Sequence, residues 1–332
     1  MPVPKFPIVR RAFVSMPLLL ALWVGAPAAA SERDRLLVTT GWLAAHLGDP
    51  NLVLLHVGDP GEYAEAHLPG ARLTSQRELS AASATPAAPP PAGSPELSLQ
   101  MSAPELLRQQ LEALGISDDS RIVVYFGNDW VSPATRILFT LDYAGLGSNA
   151  SLLDGGQPAW VREGHAVTAQ VPAARTGKLK ALAPRPTIVD AKFVLDHRAS
   201  PGFSVVDARD AVFYDGVEIP GRGSDKQRAG HIAGARSVPF SSTTDDELKL
   251  LPASGLEALF ARAGVRPEDV IIGYCHIGQQ ATAMLFAARS LGREVRLYDG
   301  SFEDWSRHAD YPVEVPPPAA AAAAAGEATA KP

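Results

Sequence analysis

The chain has 332 residues, which at roughly 150 residues per domain suggests about two domains. Apolar residues make up 46% and charged residues 20%; 30 basic against 36 acidic side chains leave a net charge of -6, with no basic block of the kind nucleic acid demands. A single cysteine excludes an intrachain disulfide framework and any metal or iron–sulfur site built on several thiolates.

Residues 1–30 have the layout of a cleaved secretory signal. Lys5, Arg10 and Arg11 form a positive start, an uncharged stretch runs from Ala12 to Ala30, and Ala28 and Ala30 give an A-x-A end before Ser31. An uncleaved anchor is the rival reading, since 19 uncharged residues nearly span a bilayer, but Pro17, Gly25 and Pro27 favour cleavage. Arg10-Arg11-Ala12-Phe13-Val14 also resembles a twin-arginine export motif. The expectation is a periplasmic or otherwise exported protein beginning near Ser31, with no stable membrane insertion after cleavage. A lone thiol in such a compartment is a liability unless it is buried or used.

Two units follow, 31–172 and 187–315, joined by a linker over 173–186 and trailed by a Pro/Ala tail over 316–332 that lacks the apolar variety to pack. In the first, non-alternating apolar runs predict buried strands over Leu52–Val57 and Ile122–Phe126. Helices are predicted over Ala103–Leu114 and Ala134–Tyr143, with a Pro/Ala/Ser loop over Ala81–Pro95. The second unit predicts strands over Ser204–Asp207 and Val270–Tyr274, and helices over Gly255–Ala263 and Ala281–Ser290. The units repeat each other. Ala66-His67-Leu68-Pro69-Gly70-Ala71-Arg72 recurs as Gly230-His231-Ile232-Ala233-Gly234-Ala235-Arg236, and Asp154 and Trp160 recur as Asp299 and Trp305, each pair 145 residues apart. Alternating strands and helices, twice over, predict two tandem α/β domains, each a mostly parallel sheet flanked by helices.

Cys275 opens the loop Cys275-His276-Ile277-Gly278-Gln279-Gln280 between a predicted buried strand and a predicted helix. At that place backbone N–H groups and the positive end of a helix dipole converge and favour an anion, the form in which a cysteine is nucleophilic. Gly278 lets the loop curl. A buried structural cysteine is the rival reading.

Taken together, the H-[LI]-x-G-A motif at His231–Ala235 with its partner at His67–Ala71, the run Tyr298-Asp299-Gly300-Ser301-Phe302 with Trp305, and the loop opened by Cys275 resemble the rhodanese (sulfurtransferase) family in its tandem form, over residues 31–315. The resemblance implies a sulfurtransferase working without a cofactor or metal. Cys275 would take a sulfane sulfur from a donor such as thiosulfate and pass it to a thiophilic acceptor, cyanide or a thiol. Asp207 and Arg209 match the family's D-x-R element, which implies that Arg209 lies near the loop as anion binder or as anchor. His276 would offer charge or a hydrogen bond to the donor, and Gln279 and Gln280 neutral hydrogen bonds, with Ile277 and Gly278 completing the loop. His67 and His231 are expected to be structural.

The pattern has departures. The loop carries neither the two basic residues of thiosulfate-preferring relatives nor the small neutral set of mercaptopyruvate-preferring ones, and Phe213 stands where many members have a second arginine. Arg222, Lys226 and Arg228 are candidate compensating charges. The first unit reads Tyr125-Phe126-Gly127-Asn128-Asp129-Trp130 where a nucleophile would fall, and Gly58 in place of Arg209, so it is expected to be non-catalytic. Phosphatase chemistry on the same scaffold needs an arginine shortly after the loop to clamp phosphate, and here none follows before Arg289, which argues against it. Three alternatives stay open: a preference for 3-mercaptopyruvate, a persulfide carrier serving a thiol protein, and a purely structural duplication.

Overall fold

The computed structural model describes residues 1–2, 31–81, 97–128, 130–221 and 226–316. The predicted signal, Ala82–Pro95 of the predicted loop, Asp129, Arg222 and the tail beyond Pro316 lie outside these residues.

In the first domain, β1 (Leu37–Val38), β2 (Leu52–Val57), β3 (Arg72–Thr74), β4 (Arg121–Phe126) and β5 (Ala150–Leu153) pair in the order β1-β5-β4-β2-β3, all parallel. Helices α1 (Glu32–Leu36), α2 (Thr40–His46), α3 (Pro60–Glu65), α4 (Pro104–Ala113), α5 (Val131–Tyr143) and α6 (Gly156–Arg162) surround the sheet. The second domain repeats the plan. Its β6 (Ile188–Val189), β7 (Phe203–Asp207), β9 (Arg236–Ser237), β10 (Val270–Tyr274) and β11 (Val295–Tyr298) pair in the order β6-β11-β10-β7-β9, again all parallel. Around it lie α7 (Ala191–His197), α8 (Ala211–Tyr214), α9 (Ala253–Arg262), α10 (Gln280–Ser290) and α11 (Ser301–Trp305), while β8 (His231–Ile232) and β12 (Val313–Glu314) make a small antiparallel pair. The continuous apolar runs therefore behave as expected of strands covered on both faces: β4 is buried from Ile122 to Phe126 and β10 from Ile271 to Tyr274.

Local chemistry sets the ends of the elements. Thr39, Asp59 and Asp190 accept from backbone N–H groups at the starts of α2, α3 and α7. The repeated histidines pin equivalent loops: His67 stacks on Tyr63 and binds its carbonyl at 2.6 Å, and His231 stacks on Tyr214 and binds its carbonyl at 2.9 Å.

The predicted linker contains no helix or strand, yet it is strapped to the first domain. Gly177 N donates to Glu112 O at 2.7 Å, Leu179 N to the Glu112 carboxylate at 2.8 Å, and Arg72 to the carbonyls of Ala173 and Arg175. Leu179 is itself buried in the core.

The domains share one apolar cluster, which runs from Leu107 and Ile137 to Phe260 and Leu285. Its centre is the packing of α5 on α10, where the hydroxyls of Thr135 and Thr282 meet at 3.0 Å. These threonines are 147 residues apart, as are Gly145 and Gly292, the positive-φ glycines that follow the two helices. Equivalent helices thus meet at equivalent residues. In each sheet, the strand order reverses between the second strand and its central neighbour, β2/β4 and β7/β10, and crevices for ligands form beyond the carboxyl ends of strands at such a point.

Candidate active site

Cys275 follows β10 directly, beside the residues that follow β7, and is fully buried. Three carbonyls around it are turned outward. Cys275 O accepts from Phe302 N at 3.0 Å, His276 O from Glu303 N at 2.9 Å, and Gly278 O from Arg136 Nη1 at 3.1 Å. In a planar trans peptide the N–H points opposite to the C=O, so the amides of His276, Ile277 and Gln279 face away from α11 and α5, into the loop. Gly278 makes the curl at φ +82°, a conformation that glycine adopts without strain. Helix α10 begins at the end of this loop with no side-chain cap, which leaves its first amides and its dipole to whatever anion the loop holds.

Arg209 is fully buried. Its Nε and Nη2 grip Asp207 at 2.6–3.1 Å, Nη2 also donates to Gly230 O at 2.8 Å, and the guanidinium lies 4.1 Å from the Phe302 ring centre. Burial opposes the charge on Arg209, but the Asp207 carboxylate outweighs it and raises the pKa, with Cys275 adding a smaller push in the same direction. Nη1 has no hydrogen-bond partner. A buried polar group left unpaired costs about 1–3 kcal/mol and a charged one more, so this group is both anchor and open donor.

His276 stands edge-on to Phe213 at 4.6 Å, with Nδ1 3.5 Å from Gln227 Oε1. Burial, and next the Arg209 charge, push its imidazole down to about 4, so at neutral pH it has a hydrogen bond to offer and no charge. Gln279 is held from across the domain boundary: Gln76 donates to its Oε1 at 2.6 Å and its Nε2 donates to Ser132 Oγ at 3.1 Å. Ile277 and Gln280 are half-buried in the loop, and Gln280 Oε1 is buried without a partner. Of the compensating charges, Arg228 instead holds the carbonyls of His308 and Tyr311, at 3.1 and 2.7 Å, and Lys226 is exposed. Among the described residues, no group of three or more His, Cys, Asp or Glu side chains is placed to hold a metal.

Several contributors escape sequence reasoning. Ser301 Oγ accepts from Cys275 N at 3.2 Å and donates to Tyr298 O at 3.0 Å, and it does so from φ +52°, one of two non-glycine residues at positive φ among the described residues. Its place in the Asp299-Gly300-Ser301 run was a signal, but its role was not. Arg136, Gln76 and Ser132 come from the other domain, and Gln227 from the segment before β8.

The first domain shows what the site lacks there. Tyr125 OH accepts from Leu68 N as Tyr274 OH does from Ile232 N, both at 3.1 Å, which equates Phe126 with Cys275. Strand register then equates His56 with Asp207, so Gly58 takes the place of Arg209. Gly156 stands for Ser301, and a Cβ on it would lie 2.6 Å from the Phe126 ring. His56 is fully buried with both ring nitrogens unpartnered, and burial, then His67, lower its pKa to about 4.

Comparison with known proteins agrees with this geometry. The family model described as "Rhodanese-like domain" matches twice, at residues 39–163 and 190–308. A thiosulfate sulfurtransferase of Pseudomonas aeruginosa is 28% identical over 82% of this chain and 94% of its own length. A probable 3-mercaptopyruvate sulfurtransferase of the same organism is 31% identical, covering 83% and 97%. The sulfur carrier protein TtuD of Thermus thermophilus is 28% identical, covering 83% and 95%. Among solved structures, an anaerobic ergothioneine biosynthesis enzyme from Chlorobium limicola shares the fold, with a TM-score of 0.75 at 21% identity over 88% of this chain and 73% of that one. The chain belongs to the rhodanese-like domain family, with the domain present twice in tandem.

Proposed function

We propose that this sulfurtransferase carries sulfur as a persulfide on Cys275. The Cys275 thiolate attacks the outer sulfur of a donor such as thiosulfate, the S–S bond of the donor breaks, and sulfite leaves with its electron pair. A thiophilic acceptor, cyanide or a thiolate, then attacks the outer sulfur of the persulfide. The Cys–S bond to that sulfur breaks and the thiolate returns. Charge balances in both steps, and neither needs an oxidant. The observation that carries the reading is the outward turn of the Cys275, His276 and Gly278 carbonyls, which leaves amides and the uncapped α10 to hold thiolate and persulfide alike. Among the described residues around the loop, Arg209 Nη1 is a buried cationic donor without a partner, free to meet an anion.

The donor is proposed from the same charges. With a neutral His276 and Phe213 in place of a second arginine, the site offers less to a compact dianion than to a monoanion, which favours 3-mercaptopyruvate over thiosulfate. With that donor the thiolate attacks its sulfur, the C3–S bond breaks, and the electron pair leaves on pyruvate as its enolate, which takes up the thiol proton. A second reading, delivery of a protected persulfide to a thiol protein, is supported by the complete burial of Cys275.

Intact mass before and after each donor tests both. Wild type should gain one sulfur, about 32 Da, reversed by cyanide, and Cys275→Ser should gain none. Rapid reversal by small acceptors supports the enzyme; a persulfide that persists until a thiol protein is added supports the carrier. No gain with any donor defeats the proposal. Export is proposed from the Lys5–Ala30 pattern. N-terminal sequencing of the periplasmic fraction should begin near Ser31, and a start at the initiator region would overturn it.

A further inference from the structure

The helix that packs against the cysteine loop belongs to the domain that has no nucleophile, and one of its residues reaches into the loop. Arg136 is 3% exposed. Its Nη2 donates to Leu99 O at 2.6 Å, its Nη1 donates to Gly278 O at 3.1 Å, and Nη1 lies 2.7 Å from Asp299 Oδ1. The other oxygen of Asp299 accepts from Met101 N at 2.7 Å. One guanidinium therefore ties a strip of the first domain, residues 99–101, to the loop glycine and to the aspartate of the Asp299-Gly300-Ser301 run.

We infer that Arg136 is a positioning residue for sulfur transfer at Cys275, contributed across the domain boundary by the domain that does no chemistry. The physical argument concerns one peptide plane. Glycine at φ +82° has little to stop the Gly278–Gln279 peptide from rotating, and a half-turn would aim its carbonyl at the anion in place of the Gln279 N–H. Arg136 holds that carbonyl outward with a charged donor in a water-poor setting, where such a bond is strong. A Cβ on Gly278 would sit 2.8 Å from Asp299 O and 3.2 Å from Arg136 Nη1, so glycine is the residue that admits the clamp.

The repeat supplies an internal control. Helices α5 and α10 are equivalent at a spacing of 147 residues, which sets Arg136 against Ala283. Ala283 is buried beside Val131, Leu152 and Leu250 and has no donor to send back. The clamp exists on the side that has the cysteine and is missing on the side that has Phe126.

This inference rests on Cys275 being the sulfur carrier, so its test uses two readouts. In the full chain, Arg136→Met should lower kcat for sulfur transfer about tenfold or more with KM within about twofold, because the lost amide alignment acts on the charge of the reacting sulfur. Hydrogen exchange in the segment 275–283 should quicken, and Arg136→Lys should restore part of both. Should Arg136→Met fail to fold around the orphaned Asp299, the pair Arg136→Met with Asp299→Asn removes both buried charges and is read the same way. Arg33→Ala is the comparison for a purely structural seam, since Arg33 donates to the carbonyls of Leu250 and Leu251, both at 2.9 Å, away from the loop. It should lower Tm and leave kcat and loop exchange alone. Folded Arg136 variants with wild-type kcat and wild-type loop exchange would overturn the inference. Failure of the wild type to take sulfur from any donor would instead sink the persulfide reading, and the exchange comparison would still decide the clamp.

Discussion

The loops that follow β4 and β10 end equivalent strands in equivalent sheets, yet one carries Cys275 where the other carries Phe126. Cys275, Asp207, Arg209 and Ser301 have as counterparts Phe126, His56, Gly58 and Gly156. The scaffold alone is therefore not the chemistry. The four exchanges are also coupled: the Phe126 ring occupies the space that a side chain at Gly156 would need, and a Cβ on Gly58 would meet His56 Nε2 at 2.8 Å. The loop after β4 is packed as a unit, and no single substitution turns it into the loop after β10.

The largest effect of substitution is expected at Arg209. Arg209→Met leaves Asp207 buried without its partner, at a cost of about 3–5 kcal/mol, visible as a large loss of Tm together with loss of persulfide formation. Phe126→Cys, which gives the first domain a thiol, should lose about 3 kcal/mol to the cavity and gain no sulfur by mass on the new residue, since His56 and Gly58 stand there in place of Asp207 and Arg209. A second persulfide on that variant would show that the cradle alone suffices.

The buried imidazole of the first domain sets a pH dependence. His56 is lowered from an ordinary 6.5 to about 4, so between those values the unfolded chain binds the proton that the folded chain refuses. Stability is fully present above about pH 6.5 and falls as the pH drops toward 4, by on the order of 2–3 kcal/mol from this group. His276 adds to the same slope for the same reason. Thermal melts of His56→Leu across that window should show a shallower acid decline, and an unchanged slope would remove His56 from the account. The smallest expected change in stability, within about 1 kcal/mol, is for Ser301→Gly, which copies Gly156: strain at φ +52° is relieved while the acceptor for Cys275 N is lost. Its turnover should nevertheless drop several-fold, and intact turnover would show that Ser301 is dispensable.

Much of this was legible in the chain. The strands could be read because Leu52–Val57 and Val270–Tyr274 are apolar without alternation, and the cysteine loop because a strand, a glycine and a helix stand in order around Cys275. What stayed hidden depends on long-range contact or on burial. Arg136 meets Gly278 across 142 residues and has no local pattern to mark it. The neutrality of His276 follows from what surrounds it, which a one-dimensional string does not state. The segment 173–186 looked like a tether because it lacks periodicity, and its hydrogen bonds to Glu112, Ser117 and Arg72 show it strapped down.

The meeting of α5 and α10 at Thr135 and Thr282 has a consequence for ancestry. A seam at which like faces like is one that two identical copies of a single domain can form with each other, as in a two-fold dimer. Such a dimer is bound to change both of its clefts at once, since every mutation appears twice. Joined in one chain, the halves are released from that symmetry. Each half can then differ from its twin at its own cleft and at the helix it lends to the other, and Arg136 opposite Ala283 is one such difference.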